Sequence, residues 1–254
     1  MKTKINYAWR VFATGFCFVG FGLGSLFIAY LIFPVIRWVT PDRTKQIQRI
    51  QYVIHLSFKF FCGMMHHTGL INYTFKGFDK LIKDQGVILI CNHPTLIDYV
   101  VIVSQLTQCN IIVKESLWKN RYMNQVIRLA GYIPNSQSGE LLDSVRDSLS
   151  TGNNLLIFPE GTRTKPNKPL KLQRGAAQLA LRLPAKARMI RITTTESGLS
   201  KESKWYKVPK RKIDYRIKVG ELLDPETFLE KTGSPSLAAR HLTRYFTEQL
   251  EKEA

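Results

Sequence analysis

From Val11 to Ile36 the chain runs 26 residues without a charged side chain, with Lys2, Lys4 and Arg10 before it and Arg37, Arg43 and Lys45 after it. A helix of that length, rising 1.5 Å per residue, reaches about 39 Å against a hydrocarbon core of about 30 Å, so it can cross a bilayer with tilt. It is too long for a signal-peptide core, and no small-residue cleavage site follows it, so it is expected to stay as a membrane anchor. Gly15, Gly20, Gly22 and Gly24 also allow a hairpin that enters and leaves one leaflet. Basic flanks on both sides leave orientation open.

A second segment, Lys45 to Met65, carries Ile47, Ile50, Ile54, Phe58, Phe61 and Met65 at spacings of three and four, with Arg49, His55 and Lys59 on other faces. This is the pattern of an amphipathic, cationic helix that lies in a headgroup layer or packs back on a domain. Residues 1–70 are therefore read as anchor plus amphipathic helix, and residues 71–254 as one α/β domain. Thirty-seven Lys and Arg against 19 Asp and Glu give a net charge of +18, which calls for an anionic surface or partner. A lipid bilayer answers that need; nucleic acid does not, because no binding motif accompanies the charge and the anchor competes with it. Cys17, Cys62, Cys91 and Cys109 form no CxxC pair, so no metal framework is visible and reduced thiols are expected.

Beyond residue 70, short apolar runs alternate with helical patterns. Strands are predicted at Tyr73 to Lys76, Val87 to Cys91, Asn110 to Lys114, Asn154 to Phe158, Arg188 to Thr194 and Tyr215 to Val219. Helices are predicted near Thr95 to Leu106, Leu117 to Ala130, Glu140 to Thr151, Arg174 to Leu183 and Ser236 to Lys252. The fold class expected is α/β, a mostly parallel sheet flanked by helices, in which active residues gather at the carboxyl ends of strands.

The chemistry-bearing residues fall at such ends. Val87 to Cys91 runs into Asn92-His93-Pro94-Thr95-Leu96-Ile97-Asp98, and Pro94 suits the first turn of a helix. Asp98, five positions after His93, can then reach one imidazole nitrogen, fix the tautomer and leave the other as a general base. Taken alone, a histidine before a helix is more often structural. Phe158-Pro159-Glu160-Gly161-Thr162-Arg163 ends a later strand in a loop with a flexible glycine, a hydroxyl and a guanidinium suited to an oxyanion.

His-x4-Asp after a strand, Lys114-Glu115, and then Phe-Pro-Glu-Gly-Thr-Arg with Glu160 67 positions beyond His93 closely resemble the lysophospholipid acyltransferase family, which includes 1-acylglycerol-3-phosphate acyltransferases. The resemblance covers roughly residues 70 to 195. It implies that His93 takes the proton of an acceptor hydroxyl as that oxygen attacks an acyl thioester, and that Asp98 orients and charge-stabilises His93. Glu160, Gly161, Thr162 and Arg163 would help bind the acceptor headgroup, with Lys114 as a further cation and backbone N–H groups near Gly161 as candidates for the oxyanion. The implied partners are a lysolipid acceptor and, as donor substrate, acyl carrier protein or coenzyme A thioester; no cofactor or metal is implied. The implied location is a membrane, the bacterial inner membrane with the catalytic domain on the cytoplasmic face.

Two departures bear on the acceptor. Gly131-Tyr132-Ile133-Pro134-Asn135-Ser136-Gln137 puts Gln137 where glycerol-phosphate enzymes of the family usually have an arginine. Ala187 to Ile192 lacks the prolines usual in the later strand. Both weaken the case for lysophosphatidic acid and admit a non-glycerophosphate or specialised lipid acceptor. Lys201 to Lys212 carries six cations against one anion beside Trp205 and Tyr206, suited to an anionic leaflet, an acidic carrier protein or nucleotide phosphates. The competing functions are a thioester hydrolase using the same His93 and Asp98, and a basic membrane-surface adaptor without turnover.

Overall fold

The computed structural model describes residues 2–120, 123–135, 140–164, 168–196, 199 and 206–252. The apolar run is helical throughout: α1 (Lys2–Phe27) passes through one π-helical turn (Ile28–Ile32) into α2 (Phe33–Val39). Asp42 caps α3 (Arg43–His67), its carboxylate accepting the Lys45 N–H at 2.7 Å and so satisfying a donor that the helix end leaves unpaired. There follow β1 (Ile71–Lys76), α4 (Phe78–Lys83), β2 (Ile88–Cys91), α5 (Asp98–Val103), β3 (Cys109–Val113), α6 (Glu115–Trp118), α7 (Asn124–Leu129), β4 (Ile133–Pro134) and α8 (Glu140–Ser150). The chain ends in β5 (Asn154–Ile157), α9 (Gly175–Arg182), β6 (Ala187–Thr194), β7 (Ile213–Leu223), α10 (Glu226–Thr232) and α11 (Pro235–Glu251).

Among the described residues the strands form one seven-stranded sheet in the order β1-β7-β6-β2-β5-β3-β4. From β6 to β4 every pairing is parallel; β7 runs antiparallel to β6, and β1 runs parallel to β7. The architecture is thus the expected α/β one, with a reversed pair at one edge. The carboxyl ends of β6, β2, β5 and β3 share an edge with the amino ends of β7 and β1.

Strands β2 and β5 are buried at every position, as strands covered on both faces must be. Alternate residues divide between two cores: Ile88 and Ile90 pack with Ala177, Leu242 and Phe246, whereas Leu89 and Cys91 pack with Ile54, Phe61 and Val101. Each large aliphatic so buried contributes about 1.5–3 kcal/mol. β7 instead alternates, with Tyr215 and Ile217 inward and Arg216 and Lys218 exposed.

α3 belongs to the inner layer. His55 Nδ1 bonds to Val103 O at 2.9 Å, and Gln51 Nε2 donates to Asn110 Oδ1 at 2.5 Å and to Ala130 O at 2.9 Å. α1 lies along the outside of α3, burying Ala13 and Cys17 and setting the Phe21 ring 4.6 Å from that of Phe61. At its start, Trp9 Nε1 donates to Thr68 O at 3.1 Å and an Arg10 guanidinium N–H to Gly69 O at 3.2 Å. The other face of α1 and α2 is apolar and uncovered, with Phe12, Phe16, Val19, Leu23, Phe27 and Val35 exposed and Trp38 85% exposed.

Three details differ from the sequence expectation. The helix expected from Thr95 starts at Asp98, and Pro94 lies in the connector; the Thr95 amide and hydroxyl both bond to the Asp98 carboxylate. The helix expected over Leu117 to Ala130 is two short ones, α6 and α7. Asn120 Oδ1 accepts the Met123 N–H at 3.2 Å, a side-chain bond that competes with helix continuation. α4, α10 and β4 are too short for periodicity to reveal.

Candidate active site

β2 ends at Cys91, and Asn92 extends its ladder with a side chain instead of backbone. Asn92 Nδ2 donates to Ile192 O at 2.8 Å and Asn92 Oδ1 accepts the Ile192 N–H at 2.7 Å. The main chain is thereby released to turn, and His93 stands at the corner with its side chain 21% exposed. His93 Nδ1 lies 2.6 Å from Asp98 Oδ2. An ionised carboxylate only accepts, so Nδ1 carries the proton and Nε2 keeps a free lone pair. The Phe158 ring stacks on the imidazole, centroids 4.3 Å apart at 23°.

Asp98 is fully buried, yet its carboxylate receives four donors. Besides His93, the Thr95 N–H reaches Oδ2 at 2.8 Å, the Thr95 hydroxyl reaches Oδ1 at 2.5 Å, and the Tyr215 hydroxyl also donates to Oδ1. Such convergence offsets the several kcal/mol that burial of a lone carboxylate costs.

Glu160 follows β5 and is also buried. Its Oε1 accepts the His93 backbone N–H at 2.7 Å, and its Oε2 accepts the Thr164 hydroxyl. The Thr164 N–H in turn donates to His93 O at 2.9 Å. Burial raises the Glu160 carboxyl above its ordinary range, while the His93 N–H and the charge on His93 pull it down. The loop is tied from behind by Gln173, whose N–H donates to Pro159 O at 2.8 Å and whose Nε2 donates to Glu160 O at 3.4 Å. Gly161 has φ +67°, and a Cβ there would come within 2.8 Å of Gln173 Nε2, so both conformation and space call for glycine.

The structure therefore brings His93, Asp98 and Glu160 into one bonded cluster, with Gly161, Thr162 and Arg163 on the adjoining turn. Arg163 donates to Leu199 O at 3.4 Å, the carbonyl that also accepts the Leu96 N–H at 3.0 Å. Lys114 is exposed at the carboxyl end of β3, on the same edge but without a bond to the cluster. The Gly161 N–H donates to Phe158 O at 3.0 Å, which removes it from the oxyanion candidates. Gln137 lies outside the described residues, as does the basic segment from Lys201 to Trp205, whereas Tyr206 to Lys212 leads into β7.

Sequence reasoning missed Thr95, Thr164 and Tyr215. Thr95-x-x-Asp98 has the spacing of a capping box, and the reach-back bond of that motif is made here, so a signal existed for Thr95. None existed for Tyr215, 117 positions from Asp98.

A buried Asp98 paired with a partly exposed His93 at the carboxyl edge of a parallel sheet, strapped to a Glu-Gly-Thr-Arg turn, has the geometry of a general-base site. Residues 72–194, just under half of the chain, match the family model described as Acyltransferase. Among solved structures, that of the 1-acyl-sn-glycerophosphate (LPA) acyltransferase PlsC from Thermotoga maritima shares the fold, with a TM-score of 0.68 at 18% identity over 100% of both chains. No curated protein matches the chain.

Proposed function

We propose that the protein moves a fatty acyl group from an acyl thioester to the hydroxyl of a lysolipid at a membrane surface, with His93 as the general base. The observation that carries this reading is the 2.6 Å contact between His93 Nδ1 and Asp98 Oδ2 under a partly exposed ring. His93 Nε2 takes the hydroxyl proton, the lysolipid oxygen bonds to the thioester carbonyl carbon, and the C–S bond breaks. The proton passes from the imidazolium to the departing thiolate, and because the acceptor oxygen attacks the thioester directly, no acyl-enzyme forms. The Arg163 guanidinium and Lys114 would attract the acceptor headgroup, and Gln137 in place of an arginine favours a neutral or amino-headed lysolipid over lysophosphatidate.

The donor would approach over the outer face of β1, β7 and β6. Lys76, Lys218 and Arg191 are register partners across these strands, with exposed Arg216 in the next row, a cationic face fit for acyl carrier protein or the phosphates of coenzyme A. The N-terminal helices would hold the enzyme from one leaflet. α1 packs along α3, and α3 is bonded into the domain through buried Gln51 and His55, so α1 could not cross the bilayer without drawing them in. A cytoplasmic placement at a bacterial inner membrane suits four free, buried cysteines.

The test is purified protein in vesicles, supplied with carrier-protein and coenzyme A thioesters and a panel of lysolipids. Thiol release should require an acceptor, with lysophosphatidate no better than neutral or amino-headed lysolipids. His93→Ala should cost about 10²–10⁴-fold in kcat. Thiol release without acceptor would mark a hydrolase, and transfer surviving His93→Ala would remove the proposed base.

A further inference from the structure

The Asp98 carboxylate divides its work between its two oxygens. Oδ2 faces His93 and the Thr95 amide, while Oδ1 takes the Thr95 and Tyr215 hydroxyls. Tyr215 stands on β7, opposite Thr194 of β6 and Tyr73 of β1, beyond the residues that match the family model. Its side chain is 1% exposed, and its ring lies 5.9 Å from that of Tyr73. A phenol so placed has one rotatable proton and, beside a carboxylate, one use for it.

We propose that Tyr215 is a positioning residue of the acyl-transfer site: its hydroxyl fixes Asp98 Oδ1, aims Oδ2 at His93 Nδ1, and draws charge from the carboxylate so that His93 is a weaker base than Asp98 alone would make it. The inference rests on the reading of His93 as the base. A carboxylate that holds only the imidazole stabilises the imidazolium more strongly than one that shares its charge with other donors. Each further donor on the carboxylate lessens that pull.

Burial and the neighbouring Asp98 charge push the Tyr215 phenol well above its usual range, so it stays a donor wherever the enzyme works. The other titratable groups that face this chain are Glu160, which holds the His93 backbone N–H, Cys91 beneath Asp98, and Tyr73. Burial keeps the Cys91 thiol and the Tyr73 phenol protonated.

The experiment is the pH profile of acyl transfer by full-length protein in vesicles. Tyr215→Phe should lower kcat about tenfold, leave the KM for the acyl donor within twofold, and move the acid limb of kcat to higher pH, because the relieved carboxylate raises the basicity of His93. Incorporating 3-fluorotyrosine at position 215, a stronger donor of the same shape, should move the limb to lower pH. It also keeps the test open if the phenylalanine variant folds poorly. A limb unmoved in the fluorinated protein overturns the proposal however far kcat falls, since looser packing alone lowers the rate without changing the base. His93→Ala separates the two levels. If it retains transfer, the base assignment fails and Tyr215's route with it; if it is inactive while the limb stays fixed, only the role of Tyr215 fails.

Discussion

The family resemblance implies a headgroup-binding role for Glu160, whose carboxylate in the structure faces inward, onto the His93 N–H and the Thr164 hydroxyl. That gives it a pH signature. A carboxyl raised by burial favours the folded state while protonated and withdraws that contribution as pH rises through its folded value. Glu160→Gln keeps an acceptor for His93 and, with Thr164 reversing its role, a partner for the hydroxyl. Its melting temperature should equal or exceed that of the native protein at neutral pH, with the gap closing toward about pH 4. Glu160→Ala leaves the His93 N–H without its acceptor and should cost about 1–3 kcal/mol in denaturant unfolding. His93 and Asp98 could be found from a five-residue spacing next to a strand. Tyr215 could not, because its place beside Asp98 depends on a strand reversal that no local pattern encodes.

At the scale of elements, the strands buried on both faces were plain in the sequence as unbroken apolar runs, and the longer helices showed their periodicity. α3 was harder to read, since an amphipathic cationic helix suits a headgroup layer as well as a protein core. Gln51 decides much of the matter: its amide donates to Asn110 and Ala130 O, and its Oε1 accepts the Cys109 N–H at 3.2 Å. Asn110 Nδ2 passes the chain on to Ser148 Oγ at 2.5 Å. Gln51 thus joins α3 to β3 and the end of α7, and through Asn110 to α8. Gln51→Ala strands several of these groups and should destabilise the domain by about 3 kcal/mol in urea unfolding. An exposed glutamine would register within about 0.5 kcal/mol.

The whole molecule carries two unlike surfaces. One is the apolar face of α1 and α2, joined by exposed Tyr52, Leu56 and Phe60 of α3, with Lys45, Arg49 and Lys59 beside it. The other is the cationic face of the reversed strands. On the one-leaflet reading, Trp38→Glu with Phe60→Glu, at sites 85% and 69% exposed, should leave unfolding in detergent unchanged. In vesicle sedimentation the same pair should weaken partitioning by about tenfold or more, as expected when buried aromatic area is replaced by charge. Equal partitioning of the double variant would contradict the insertion of this face.

Trp9 and Arg10 tie the beginning of α1 to Thr68 and Gly69, immediately before β1 and on the same edge as His93. A helix moored in lipid would therefore hold the reactive corner at a set height above the acyl chains. A substrate tail would then never have to be lifted into water, a transfer that costs about 0.8 kcal/mol for every methylene. On the proposed function, encounter would be sideways travel within a two-dimensional fluid, and turnover would follow how crowded that sheet is with lysolipid, not how much is dissolved around it.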